Sequence, residues 1–177
     1  FPMVPFANRL GYAQFEFDGK TINVPANRAP DPHAIHGFGI SSIWEIERPT
    51  VDTMRFNHKH DDPQTGFCYV AWQQIKVAND TISIEIGLRH IGEDPMPYGI
   101  GLHPWFPGGE SAWVQFVATD CFGTDEGKLP TTRTVIDLGR DFADGKMIRH
   151  HKGLDIHYIG WNKQATMVWA DRQISLL

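Results

Sequence analysis

The segment Thr81-Ile82-Ser83-Ile84-Glu85-Ile86-Gly87-Leu88 decides the fold class, because it places an aliphatic side chain at every second position. A period of two lines one face of a strand, whereas the apolar positions of a helix recur every three or four residues. The preceding segment 67–77 is also strand-like, and Asn79-Asp80 supplies turn residues between the two. The sequence therefore predicts an antiparallel hairpin in which these two segments pair.

Strand signals recur along the rest of the chain. A second hairpin is predicted from Phe15 to Val24, folded at Asp18-Gly19, a pair that suits a type I′ turn. Further strands are predicted over residues 113–119, 165–169 and 173–177. The 17 glycines and 12 prolines interrupt the chain at short intervals, and no window carries a sustained helical apolar stripe. We predict an all-β fold, a sandwich or barrel of antiparallel strands that forms one domain over residues 1–177.

Composition narrows the class of protein. The 21 acidic and 16 basic residues give a formal net charge of -5 and form no runs, so no basic stripe is available for nucleic acid. No apolar stretch approaches the ~18 residues that a membrane span requires. Cys68 and Cys121 are the only cysteines and show no CxxC spacing, which favours free thiols in a reducing compartment. We expect a cytoplasmic protein with neither a nucleic-acid nor a membrane partner.

The candidate chemistry centres on His103, which ends the glycine-rich, apolar segment Tyr98-Gly99-Ile100-Gly101-Leu102. Pro104 disfavours helical backbone at the residue before it, so His103 is expected to be extended. An unperturbed histidine has a pKa of about 6.5 and can donate or accept a proton near neutral pH. Trp105 and Phe106 add flat apolar faces. A polar ring beside aromatic faces suits a sugar.

Three motifs occur in an order that resembles a known family. They are Pro5-Phe6-Ala7-Asn8-Arg9, then Ile35-His36-Gly37, then Gly101-Leu102-His103-Pro104-Trp105-Phe106, and they are followed by Asp155 in Gly153-Leu154-Asp155. Together they resemble the aldose 1-epimerase, or galactose mutarotase, family along the whole chain. The resemblance implies a large antiparallel β-sandwich, the galactose mutarotase-like supersandwich, and we expect this chain to lack part of that domain at both ends.

The resemblance also implies an activity. Members of the family interconvert the α and β anomers of a free aldohexose by general acid–base ring opening, without a metal or cofactor. The implied catalytic residues are His103, the acid towards the ring oxygen, and His36, which binds and orients the sugar. The implied substrate-binding residues are Arg9, Asp155, Asn8 and Trp105. The general base of the family is a glutamate far downstream of these motifs, which places it beyond the end of this sequence.

Two alternative functions stay open at this point. The first is a non-catalytic carbohydrate-binding protein of the same fold, which a glutamate in the continuation of the chain would argue against. The second is a cupin-like metal enzyme that uses His58 and His60, since these two lie on the same side of a strand. For that pair, a solvated position facing a loop is the favoured interpretation. Structural roles also stay open for Arg9, as the partner of a surface acid, and for His36 and Asp155, in turns.

Overall fold

A computed structural model describes residues 1–151 and 153–177, and strands dominate it. The all-β prediction is confirmed. The contacts of the backbone divide the chain into two compact units, Phe1–Pro104 and Trp105–Leu177. In the described part of the chain, no helix is long and apolar enough to cross a membrane.

The first unit contains ten strands among its described residues and two short 3₁₀ turns, Gly11–Ala13 and Gly39–Ser41. The strands are β1 (Pro2–Met3), β2 (Arg9–Leu10), β3 (Gln14–Phe17), β4 (Lys20–Asn23), β5 (Ala34–Ile35), β6 (Glu45–Thr50), β7 (Thr53–Asp62), β8 (Phe67–Ala78), β9 (Thr81–His90) and β10 (Gly101–Leu102). The largest sheet has the order β6-β7-β8-β9 and is antiparallel. Three smaller antiparallel pairs join β1 to β10, β2 to β5 and β3 to β4.

Both predicted hairpins are present. Strands β8 and β9 pair in register from Ala78 opposite Thr81 outward, around a turn in which Asn79 has a φ of +54°. The turn between β3 and β4 places Asp18 at a φ of +49° and Gly19 at +71°. Positive φ at both central residues is what a type I′ turn requires. The two hairpin predictions and the turn assignment are therefore confirmed.

The core of the first unit lies on one face of the large sheet. Alternate residues of β8, namely Phe67, Tyr69 and Ala71, are buried there and pack with Val4 and Phe6 of the N-terminal segment. The period-two pattern produces this arrangement, since every second side chain of a strand points to the same face. Partly buried hydrophobic residues complete the core: Leu10, Phe15, Ile22, Phe38, Trp44, Leu88, Met96 and Tyr98.

His58 and His60 lie on the same face of β7, as their spacing predicts, and this face is the one that carries the core. Their interpretation as a solvated, loop-facing pair is wrong. His58 is 6% exposed, and its Nε2 lies 3.3 Å from the hydroxyl of Tyr69. His60 is the cross-strand partner of Tyr69, and the two rings stack at 5.3 Å. Among residues 1–151 and 153–177, no group of three His, Cys, Asp or Glu side chains is placed to hold a metal ion.

The second unit contains β11 (Trp113–Phe116), β12 (Asp120–Thr124), β13 (Pro130–Val135), β14 (Lys146–Met147), β15 (His157–Ile159), β16 (Ala165–Val168) and β17 (Gln173–Leu176), with a 3₁₀ turn at Ile148–His151. Two antiparallel sheets have the orders β14-β11-β16-β17 and β13-β12-β15. Phe116 and Phe142 stack at 5.1 Å, and Tyr158 meets Phe116 edge-on. Cys121 in this unit and Cys68 in the first are both free and buried, as predicted.

The N-terminal segment of the first unit is held by backbone contacts to two later turns. Val4 forms a parallel bridge with Gly37, and Phe6 forms one with Gly99. The carbonyl oxygen of Val4 accepts hydrogen bonds from the N–H groups of Phe38 and Gly39, at 2.8 and 3.0 Å. Gly37 has a φ of +72°, and a Cβ there would overlap the Val4 carbonyl group. A glycine at this position therefore permits the close approach of the two segments.

Replacing Gly37 by Ala is expected to destabilise the protein by roughly 2 to 4 kcal/mol, because the left-handed backbone and the overlap with Val4 both oppose a side chain. Chemical denaturation measures the free energy of unfolding. The matched control is Gly99→Ala, where a Cβ has open space and the change should stay within about 1 kcal/mol. Equal losses in the two variants would contradict the account of this contact.

Candidate functional site

Backbone pairing of the N-terminal segment brings His36 and His103 together. Strand β1 pairs with β10, and the ladder continues outward because His103 N–H donates to the Phe1 carbonyl at 2.9 Å and the Phe1 nitrogen donates to the His103 carbonyl at 3.0 Å. At the other end of the segment, His36 N–H donates to the Asn8 carbonyl at 2.8 Å. Two histidines that are 67 positions apart in the sequence are thus anchored to one extended segment.

The two imidazole rings form an edge-to-face pair. Their centroids are 5.1 Å apart, with an angle of 78° between the ring planes. The ring of Phe1 stacks on His103 at 4.7 Å and meets His36 edge-on at 5.7 Å. The structure therefore assembles the two predicted catalytic histidines and adds an aromatic ring beside them.

Burial controls the charge of His36. Its pKa is lowered first by desolvation and then by the positive charges of His103, Arg9 and Arg28. His36 is therefore neutral at pH 7. Its Nδ1 is buried without a hydrogen-bond partner among the described residues. Since a buried N–H without an acceptor is costlier than a buried lone pair without a donor, this favours the tautomer with the proton on Nε2. His36 can then donate a hydrogen bond through Nε2.

Arg9 is placed in the same unit by β2, which pairs with β5 directly before His36. Its side chain is only 11% exposed, and its Nε lies 3.4 Å from Oδ2 of Asp31. Arg9 is thus paired with an acid, which agrees with the structural role that the sequence left open for it. The pair is largely buried, however, and not on the surface. The Arg9 charge also reaches His36, where it contributes to the lowered pKa.

The other predicted binding residues are distributed over both units. Asn8 precedes Arg9, has a φ of +57° and accepts the His36 N–H described above. Trp105 is the first residue of the second unit and is 79% exposed. Asp155 also lies in the second unit, where its carboxylate pairs with Nζ of Lys128 at 3.2 Å. For Trp105 and Asp155, contact with a sugar stays a prediction.

Sequence reasoning missed three residues of this site. Phe1 supplies the ring that stacks on His103, and Asp31 and His33 form hydrogen-bonded contacts beside Arg9. His33 lies in the loop directly before β5. The dipeptide Asp31-Pro32 signals a turn, but nothing in its local pattern connects it to an arginine 22 positions earlier.

The sequence model of the family described as aldose 1-epimerase matches residues 1–176, and the chain belongs to this family. Two uncharacterized proteins of Escherichia coli K12 are similar to it. YphB is 30% identical over 108 residues, which are 60% of this chain and 36% of YphB. YihR is 26% identical over 154 residues, which are 82% of this chain and 50% of YihR. The chain therefore spans half or less of the length of these relatives.

Solved structures show the same fold. A candidate aldose 1-epimerase from Escherichia coli K12 matches with a TM-score of 0.85 at 24% identity, over 97% of this chain and 58% of that one. The GalM/aldose epimerase homologue from Caenorhabditis elegans matches with a TM-score of 0.80 at 19% identity, over 98% and 60%. The predicted galactose mutarotase-like β-sandwich is thereby confirmed.

A second pair of histidines, His58 and His60, packs against the turn that carries His36. Phe38, two residues after His36, stacks on His60 at 4.5 Å. Nε2 of His60 is buried without a hydrogen-bond partner among the described residues. Desolvation lowers the pKa of His60, while the charges of Asp62 and Asp61 act in the opposite direction. The packing beneath this turn therefore depends on a neutral imidazole.

Acid should weaken the fold through this histidine. Because the pKa of His60 is lower in the folded state than the unfolded value of about 6.5, the unfolded chain takes up the proton first. The stability that the neutral ring contributes is complete above pH 6.5 and is lost as the pH falls from there towards the lowered pKa. His60→Phe keeps the stacked ring and removes the proton site, so its loss of stability between pH 7 and 5 should be smaller than that of the wild type.

Denaturation at a series of pH values measures this slope. The control is His150→Gln, which changes an exposed histidine in the second unit and should follow the wild-type curve. If His60→Phe also follows the wild-type curve, His60 does not contribute to the acid sensitivity.

Proposed function

We propose that the complete protein is an aldose 1-epimerase that interconverts the anomers of a free aldohexose. The observation that carries the proposal is the pairing of His36 and His103 at 5.1 Å in a chain that belongs to this family. The nearby Arg9 adds a guanidinium group, whose planar donors suit the paired oxygens of a sugar. The Phe1 ring adds an apolar surface of the kind that packs against sugar C–H groups.

In the proposed reaction, His103 donates a proton to the ring oxygen while a base removes the proton of the anomeric hydroxyl. The C1–O5 bond breaks, the open-chain aldehyde turns about the C1–C2 bond, and the reverse proton transfers close the ring on the other face. His36 stays neutral and donates a hydrogen bond through Nε2, which orients the sugar without competing for the transferred proton. Arg9 holds hydroxyl groups in both the ground state and the transition state.

The base of this reaction is proposed from the family resemblance. In the family this base is a glutamate downstream of the position that Asp155 occupies, and we assign the same role to such a glutamate in the complete protein. The carboxylate of Asp31 lies against Arg9 and is already paired with its guanidinium group. The proposal therefore concerns the complete protein.

His103→Ala in the complete protein should lower kcat for anomer exchange by roughly 10² to 10⁴, or about 3 to 5 kcal/mol of barrier, with a smaller change in sugar affinity. A general acid acts mainly in the transition state, whereas His36 and Arg9 also hold the ground state, so His36→Ala and Arg9→Ala should raise KM as well. Polarimetry on freshly dissolved α-galactose and α-glucose, corrected for spontaneous mutarotation, measures these constants.

The matched control is His150→Gln, which should keep wild-type kinetics because this histidine is exposed and belongs to the second unit. Wild-type kcat in His103→Ala would show that the acid is another residue. Saturable sugar binding by a wild-type protein that does not accelerate anomer exchange would instead favour a non-catalytic carbohydrate-binding protein.

A further inference from the structure

We propose that Asp31, itself held by His33, is a positioning residue that fixes the guanidinium group of Arg9 for ligand binding. The effect of this contact on sugar binding rests on the proposed function. The fixing of Arg9 by Asp31 can be measured without a sugar. Asp31 and His33 lie outside the motifs that identify the family, in the loop between β4 and β5.

The guanidinium group of Arg9 needs a partner of opposite charge. Its side chain is 11% exposed, and a largely buried guanidinium without a counter-charge would be strongly destabilising. Oδ2 of Asp31 lies 3.4 Å from Nε of Arg9, so the carboxylate accepts the Nε–H bond. This contact uses the donor nearest the aliphatic stem and leaves the two terminal nitrogens for other acceptors. A guanidinium anchored at Nε has a defined plane.

Asp31 is itself held in place by its own loop. Its Oδ1 accepts the backbone N–H of His33 at 2.9 Å, which is the main cause of the lowered pKa of this carboxyl group. The Arg9 hydrogen bond lowers the pKa further, while desolvation opposes both. The carboxylate is therefore charged at neutral pH and bound through both oxygens, one to its own loop and one to Arg9.

His33 is buried, with an exposure of 2%. Its Nδ1 accepts the backbone N–H of Tyr12 at 2.8 Å, so the proton of the neutral ring lies on Nε2. Nε2 lies 3.9 Å from Oδ1 of Asp31, so the protonated nitrogen of the ring is near the carboxylate. The Tyr12 ring meets His33 edge-on at 5.2 Å. Backbone and ring contacts thus fix His33, His33 fixes Asp31, and Asp31 orients Arg9.

The kinetic test uses the complete protein and Asp31→Asn, which keeps the size and one acceptor oxygen but removes the charge. KM for the aldose should rise roughly fivefold to tenfold, with kcat within about threefold of wild type, because Arg9 binds rather than transfers a proton. The matched control is Asp94→Asn, which removes a carboxylate from an exposed pair with Lys20 in the same unit and should leave KM unchanged. If Asp31→Asn does not fold, Asp31→Glu, which keeps the charge but displaces the carboxylate, should raise KM by roughly twofold to fivefold, and an unchanged KM would overturn the proposal.

A double-mutant cycle separates positioning from a general structural role. If Asp31 acts through Arg9, adding Asp31→Asn to Arg9→Ala should raise KM no further, since the group that Asp31 orients is already gone. An equal rise in KM in both backgrounds would overturn the proposal, and so would an unchanged KM in the single variant.

A measurement without ligand distinguishes failure of this proposal from failure of the proposed function. In protein with ¹⁵N-labelled arginine, the Nε–H signal of Arg9, assigned by its loss in Arg9→Lys, should be ordered on the fast timescale in the wild type and in Asp94→Asn, and more mobile in Asp31→Asn. This outcome supports the positioning role even if no aldose binds. Equal mobility in wild type and Asp31→Asn would overturn it, whatever the activity.

Discussion

The main-chain hydrogen bonds of the N-terminal segment are the constraint on which the candidate site depends. Residues 1–8 form no large sheet of their own, yet they are bonded to the turn at Gly37 through Val4, to Gly99 through Pro5 and Ala7, and to His103 through Phe1. Because this one segment is bonded to both turns, these backbone bonds set the separation of the turns. The separation of the His36 and His103 rings follows from them.

The environment of the histidine pair explains what each ring can do. Burial makes the charged form of His36 unfavourable, and the positive charges around it act in the same direction. A neutral ring beside Arg9 can orient hydroxyl groups without holding a proton that the reaction needs to move. The pairing of Arg9 with Asp31 also limits the cost of placing a guanidinium group in a poorly solvated position. The proposed role of His36 as a neutral group that orients the sugar rests on this environment.

Local sequence pattern predicted the two hairpins of the first unit and three strands of the second, but not β6, β12, β13 or β15. The alternation in 81–88 and the turn pair Asp18-Gly19 are local signals, and each is realised in the structure. Strand β6 was not predicted, because the segment Glu45–Thr50 is mostly polar and contains a proline. Such residues are tolerated because β6 is an edge strand, whose outer side needs no partner. That edge position is a property of the sheet, not of the segment.

The site divides in a similar way between local motifs and long-range contacts. The motifs identified His36, His103 and Arg9 as candidates, because each belongs to a short and ordered pattern. They could not identify Asp31, whose contact with Arg9 depends on the pairing of β2 with β5. The orientation of His60 was misjudged for a related reason, since the strand period shows that it shares a face with His58 but not that Phe38 covers that face. What packs on a strand is decided by distant parts of the chain.

Histidine NMR tests most directly whether His36 and His103 form one sugar-binding pair, as we propose. In the complete protein with ¹³C-labelled histidine rings, titration with galactose or glucose should shift the ring signals of His36 and His103 together, with a single saturation constant. The signal of the exposed His150 should stay unchanged and serves as the internal reference. Saturable shifts in only one of the two rings, or no shift in either at saturating concentrations of both aldoses, would contradict the account.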